Sequence, residues 1–169
     1  MDQTPTGHEA VMKAACSGKS SLAKAVVKEF PTFQRISFDG ILAARHGLYG
    51  IDYPKSDHEK ISDEADTEFF ETAKQFLAIG KDDIVLDRAL YAKEDRDAYK
   101  QLIESNGARW VLVFLKAPKE VLWQRIQDRR AAGVNAECAL EISKELLDMF
   151  YDGFEVPAGE GEIVVNTHA

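Results

Sequence analysis

The spacing of apolar positions changes along the chain, and each change marks an element. Runs at Glu9–Met12, Phe33–Phe38, Asp83–Leu86, Trp110–Leu115 and Glu162–Val165 predict strands. Ile84-Val85-Leu86 and Val111 to Leu115 are apolar without alternation, as expected of strands covered on both faces. Helical patterns lie between them, at roughly Lys19–Glu29, His58–Ile79, Lys93–Ser105, Pro118–Ala131 and Glu137–Tyr151. In the second, Phe69, Ala73, Phe76 and Leu77 recur at helical spacing, and Gly80 is a natural stop. Alternating strands and helices predict one α/β domain with a parallel sheet covered by helices. Gly47 to Pro54, rich in glycine and closed by proline, predicts a loop, and loops of this length often bind ligands. Gly133-Val134-Asn135 predicts a turn between two helices.

The length of 169 residues suits a single domain with a sizeable core. A net charge of −8 argues against a broad nucleic-acid footprint, which needs clustered Lys and Arg. It leaves room for a small anion, which needs only a local positive site. Cys16 and Cys138 are far apart and form no metal-ligand spacing, so a reduced, cytoplasmic protein is the simplest expectation. Met1 to His8 lacks an apolar core, so no signal peptide is expected there, and no apolar run reaches membrane-spanning length.

The stretch Lys13-Ala14-Ala15-Cys16-Ser17-Gly18-Lys19-Ser20-Ser21 changes the picture most. It follows the first strand and opens the first helix, where unpaired N–H groups and the helix dipole favour phosphate. It holds most of the G-x-x-x-x-G-K-[ST] phosphate-loop pattern, with Lys13 in place of the first glycine. Cys16, Ser17, Gly18, Lys19, Ser20 and Ser21 form the candidate nucleotide-binding loop. In it Gly18 lets the backbone approach, Lys19 meets the β/γ oxygens and Ser20 ligates Mg²⁺. The plain alternative is that Ser17 or Ser20 caps the helix. A Cβ at position 13 can obstruct the turn out of the strand, yet lysine can adopt a tolerated conformation there, so a formed loop is expected, with nucleotide affinity weakened by Lys13 and Cys16.

Two more strands end in an acid. Asp39 closes the second, with Gly40 behind it leaving room for a substrate, and Asp87 closes the third. Phosphoryl transfer to an alcohol needs a proton acceptor and an acid for Mg²⁺; Asp39 suits the first task and Asp87 the second. Alternatively, each acid caps the next element. On the helix from Pro118, a 100° step places Arg125 and Arg129 on the same face as Val121, Leu122 and Ile126. Both arginines are therefore expected to meet an anion, as part of a lid spanning about 125–136, or else to form a structural ion pair. Arg88 could face the site or a nearby carboxylate, and Arg96 sits in a charged run of the kind that is usually solvated. His46, Tyr49 and Tyr53 are candidates to line an acceptor pocket, with His46 read as structural, not catalytic. Cys138 reads as a small helix residue.

G-K-S-S-L-A, S-F-D-G, V-L-D-R and V-F-L-K-A-P-K-E-V-L-W-Q-R-I-Q-D-R-R together resemble the small P-loop kinases, the group labelled AAA-type ATPase or zeta-toxin-like. The layout is similar to gluconate, shikimate and polynucleotide kinases, and looks closest to fungal single-domain P-loop proteins of undefined substrate. The resemblance, from about Glu9 to Val165, implies a three-layer P-loop NTPase fold: a five-stranded parallel sheet with helices on both faces. It implies ATP as donor, Mg²⁺ as cofactor and a lid between the fourth and fifth strands. By position it matches Gly18 to Ser21 to the phosphate loop, Asp39 to the acceptor-side acid, Arg125 and Arg129 to lid arginines, and Asp87, more loosely, to the second acid. Lys13 and Cys16 depart from it. The short stretch after the fifth strand leads to an expectation of weak base specificity.

Three functions compete at this level. One is an ATP-dependent phosphotransferase acting on a hydroxyl of a small molecule. Another is a catalytically silent P-loop protein that binds a nucleotide, an anion or a partner protein. The third, a polynucleotide 5′-hydroxyl kinase, is disfavoured by the acidic charge. The acceptor and the oligomeric state have no signature in the sequence.

Overall fold

The computed structural model describes residues 9–14 and 18–167. Its strands are β1 (Glu9–Ala14), β2 (Phe33–Ser37), β3 (Asp83–Asp87), β4 (Arg109–Lys116) and β5 (Glu162–Asn166). Among the described residues they form one sheet in the order β2-β3-β1-β4-β5, every pairing parallel. The helices are α1 (Lys19–Glu29), α2 (Phe38–His46), α3 (His58–Ile79), α4 (Lys93–Ser105), α5 (Lys119–Ala131) and α6 (Lys144–Gly153). Parallel pairing puts the carboxyl ends of all the strands on one rim, where ligands of open α/β sheets collect.

The main core lies under α3 and α4. Ile61, Ala65, Phe69, Ala73 and Leu77 are buried at every fourth position of α3, the stripe that an i, i+4 pattern produces. Phe69 and Leu77 pack with Ile36, Ile84, Leu86 and Leu112 of the sheet and with Tyr99 and Ile103 of α4. Gly80 ends α3 in the left-handed region at φ 60°, as a C-terminal glycine does. A second cluster, Ala117, Leu122 and Leu147, joins α5 to α6. Helix α1 packs on β2 and β3. Successive strand residues point to opposite faces, so Ile36 enters the main core while Arg35 turns the other way.

Several boundaries differ from the sequence reading. β1 continues through Ala14, and Lys13 lies inside it opposite Val113. Position 13 is thus a sheet residue in extended backbone, which any residue adopts, and not the start of the turn. β2 stops at Ser37, because Phe38 and Asp39 open α2, a helix that the apolar pattern did not reveal. The pattern over Glu137–Tyr151 resolves into a 3-10 turn at Ala136–Cys138 and then α6, capped where the Ser143 hydroxyl accepts the Leu146 N–H. Cys138 lies in that turn, its thiol 3.3 Å from the Gly133 carbonyl. Arg96 is not solvated: its side chain is fully buried and bonded to Glu160 at 2.9 and 2.7 Å. No described helix is long and apolar enough to cross a membrane.

Candidate functional site

Gly18 precedes α1 at φ 78°, a conformation that strains any residue with a Cβ, so the chain enters this helix through a position suited to glycine. The N-cap is Gly18, which has no side chain to cap the helix, and the first turn holds no acidic residue. Ser20 lies inside the helix and not at its cap, and the first-turn amides of an eleven-residue helix attract an anion. Lys19 and Ser20 are half-buried there and Ser21 is exposed. Cys16 and Ser17, the other loop candidates, lie outside the described residues.

Asp39 and Asp87 stand on the same rim. Asp87 ends β3 opposite Ser37 in β2, and Asp39 lies two residues beyond Ser37, in the first turn of α2. Capping falls to Ser37, whose hydroxyl accepts the Gly40 N–H at 3.1 Å, so Asp39 is not committed to the cap. Gly40 has a local purpose too: a Cβ there would come within 3.2 Å of Ser37, so its smallness serves the cap. Burial pushes the Asp39 carboxyl above its usual range; the Lys19 ammonium opposes this, Asp87 and Glu137 add to it, and Arg35 opposes it. Lys19, Asp39 and Asp87 thus share one electrostatic neighbourhood.

Two cations that the sequence reading did not single out complete this cluster. Arg35 of β2 donates from Nε to Asp87 Oδ2 at 2.8 Å, and its Nη2 lies 2.6 Å from the same oxygen. Nη2 also donates to Glu137 Oε1 at 2.7 Å, and Lys24 of α1 reaches the two Glu137 oxygens at 2.8 and 3.0 Å. Burial alone would raise the Glu137 carboxyl, but Lys24 and Arg35 outweigh it and hold the group below its ordinary value. Asp87 is 4% exposed, so its charge depends on its partners. The one available signal was Arg35 itself, a charged residue between Phe33 and Ile36 in a strand.

Other candidates fall elsewhere. Arg125 is half-buried and donates to the Thr167 hydroxyl at 3.2 Å, beyond the end of β5. Arg129 is exposed, so the two arginines do not share an inward face as the helical projection suggested; Arg130, at 100° from Arg129, is the more covered of the neighbouring pair. Arg88 pairs with Asp66 at 2.7 Å and lies over the rings of Phe38, Phe69 and Tyr99. It faces a carboxylate, not the rim. A depression of about 380 Å³ beside it is lined by Asp66, Phe70, Asp95 and Tyr99, and none of Lys19, Asp39 or Asp87 lines it. Tyr53 is buried with its hydroxyl 3.0 Å from His58 Nδ1, and His46 Nε2 lies 3.6 Å from Glu64, so both serve local packing.

The Ser20 hydroxyl and the Asp87 carboxylate, the two donors expected for a magnesium ion, are oxygen groups of the kind a hard cation takes. No group of three or more His, Cys, Asp or Glu able to hold a metal occurs among the described residues.

Comparison with known proteins places this geometry. The sequence profile of the family described as AAA domain matches residues 14–157. No curated protein matches the sequence, so the expected likeness to fungal single-domain proteins rests on the motifs alone. A gluconokinase from Sinorhizobium meliloti superimposes with TM-score 0.62 at 21% identity, over 95% of this chain and 82% of that one. A presumed kinase from Chloroflexus aurantiacus gives 0.73 at 17%, over 96% and 86%. Kti12 from Chaetomium thermophilum, solved with ADP-AlF3, gives 0.65 at 13%, over 94% and 88%. At these identities the likeness establishes the fold, that of P-loop NTPase-like α/β domains.

Proposed function

We propose, for a chain that belongs to the AAA domain family, an ATP-dependent phosphotransferase function with a hydroxyl of a small molecule as acceptor. The carrying observation is that Lys19, at the start of α1, Asp39, in the first turn of α2, and Asp87, at the end of β3, share one rim and one electrostatic neighbourhood. Lys19 and the first amides of α1 would hold the β- and γ-phosphates. Asp39 would take the proton of the acceptor hydroxyl as that oxygen bonds to the γ-phosphorus and the bond to the bridging oxygen breaks. A carboxyl lifted by burial is a stronger base than an exposed one, which suits that task. Ser20 and Asp87 would hold Mg²⁺, which when bound neutralises charge on the phosphates. A lid over about 125–136 would have to bring Arg125 and Arg129 inward from where they stand, Arg125 on Thr167 and Arg129 exposed.

A second reading, a silent P-loop protein that binds an anion or a partner protein, draws on the Arg35 contact to Asp87. A guanidinium already holds the acid a metal would use. Calorimetry with ATP, with and without Mg²⁺, separates the two. The phosphotransferase reading expects Mg²⁺-dependent heat that vanishes in Lys19→Ala, followed by ATP consumption in the presence of a hydroxylated metabolite. ATP heat that is indifferent to Mg²⁺, or no heat at all, would favour the silent protein.

A further inference from the structure

The segment between α5 and α6 brings an acid to the rim. Its 3-10 turn, Ala136–Cys138, packs against α2, and Glu137 projects from it onto Lys24 of α1 and Arg35 of β2. A second acid of the segment, Glu141, lies 3.5 Å from Lys55 Nζ. The segment is thus held by carboxylates on cations of the body.

Two cations from different elements converging on one carboxylate, beside Asp39, form the kind of fork that recognises an anionic oxygen group. We propose that Lys24 and Arg35 are a subsite for a carboxylate or phosphate group of the ligand, and that Glu137 fills it until that group arrives. Placing this ligand as the phosphoryl acceptor, its hydroxyl at Asp39, rests on the phosphotransferase reading; the cation pair and its carboxylate do not.

The exposures fit such an exchange. Lys24 is 57% exposed and Glu137 24%, so water reaches the contact and a competing anion can enter. Arg35 is bound more deeply, since Asp87 holds it from the other side with a side chain only 3% exposed. When Glu137 leaves, Arg35 stays aimed at the vacated position while Lys24 swings freely. The exchange therefore breaks the exposed pair to Lys24 and the half-buried one to Arg35, both remade to the incoming anion, and releases the segment from its anchor on α1 and β2.

The probes are inorganic phosphate and malonate, titrated calorimetrically into the native chain, Glu137→Gln and Lys24→Ala/Glu137→Gln, each also carrying Lys19→Ala to remove the phosphate loop. Hydrogen exchange of residues 132–143 is followed in parallel. Glu137→Gln is expected to bind phosphate, malonate or both about fivefold more tightly, the size of one exposed ion pair, and to lose that gain when Lys24 is removed. The favoured anion identifies the group. Amides of 132–143 should exchange faster in Glu137→Gln and on anion addition to the native chain. No gain for either anion, or a gain that survives loss of Lys24, overturns the subsite; so does exchange of 132–143 that ignores both. These arms omit Lys19, so they can succeed even if the ATP experiment fails, and the reverse.

Discussion

Replacing Glu160 by Gln tests how the end of the sheet is held. Glu160 lies just before β5, where both its oxygens meet the fully buried Arg96 of α4 at 2.9 and 2.7 Å, and one meets Lys100 at 3.3 Å. The Arg96 hydrogen bond is the largest influence on its carboxyl; burial opposes, Lys100 adds, and the pKa falls from 4.5 to about 2. That difference corresponds to about 3 kcal/mol, and screening by water near Lys100 brings it to about 2 kcal/mol. The substitution also removes the countercharge of the buried Arg96, leaving it one amide oxygen at position 160 and the Leu90 and Tyr91 carbonyls at 3.1 and 3.4 Å. Orphaning a buried charge costs about 3–5 kcal/mol, so a loss of about 3 kcal/mol is expected. For a chain of this size that lowers Tm by about 6–12 °C. The pH dependence is a second check. A carboxyl depressed in the folded state contributes fully above its unfolded value near 4.5, and the contribution fades as pH falls toward 2. Urea unfolding from pH 7 to pH 2.5 should show that decline in the native chain and a flatter one in Glu160→Gln. A loss under about 1 kcal/mol at pH 7, with acid slopes that coincide, would refute the claim that this pair anchors the strand.

Two shorter predictions bear on the rim. Asp39→Asn should leave ATP affinity within about threefold while lowering turnover by about 10²–10⁴, and should abolish an acid limb that lies above the ordinary carboxyl range in the native rate profile; an unchanged limb would assign it to another group. Lys13→Gly should leave ATP affinity unaltered and cost about 0.5–1 kcal/mol in urea unfolding, because position 13 is a strand residue opposite Val113; a sharp rise in affinity would show that the lysine impairs the loop.

Where a pattern was long and its partner near in sequence, the residues announced it. α3 is legible because its apolar residues repeat over 22 positions, and Gly80 marks its end. α2 has no fully buried residue and hence no stripe, and Phe38 continues the apolar run of β2, so strand and helix merged. Asp39 and Asp87 could be assigned to the rim because parallel strands end together, whatever the side chains do. Arg35 could not, because its partners lie 52 and 102 residues away and nothing local distinguishes it from a solvent-facing strand residue. Arg96 is the same case: its run is charged, yet Glu160, 64 residues on, draws it into the interior. Arg129 failed for a further reason. A helical projection gives relative angles only, and the face that α5 buries is set by Leu122 against Leu147.

Charge decides how an acidic chain can hold an acidic ligand. The whole molecule carries −8, but the rim sets Lys19, Lys24 and Arg35 against Asp39, Asp87 and Glu137. Among the described side chains that sets three basic groups against three acidic ones, so a phosphate-bearing ligand gains from any carboxylate that yields. Asp87 ends a buried strand and cannot move without the sheet, and Asp39 is fixed by a helix whose cap, Ser37, is also the last residue of β2. Glu137 sits on a three-residue turn in a connection between helices, tied through exposed contacts. It is the carboxylate that can leave at least cost, and its departure turns the rim positive where the ligand would bind.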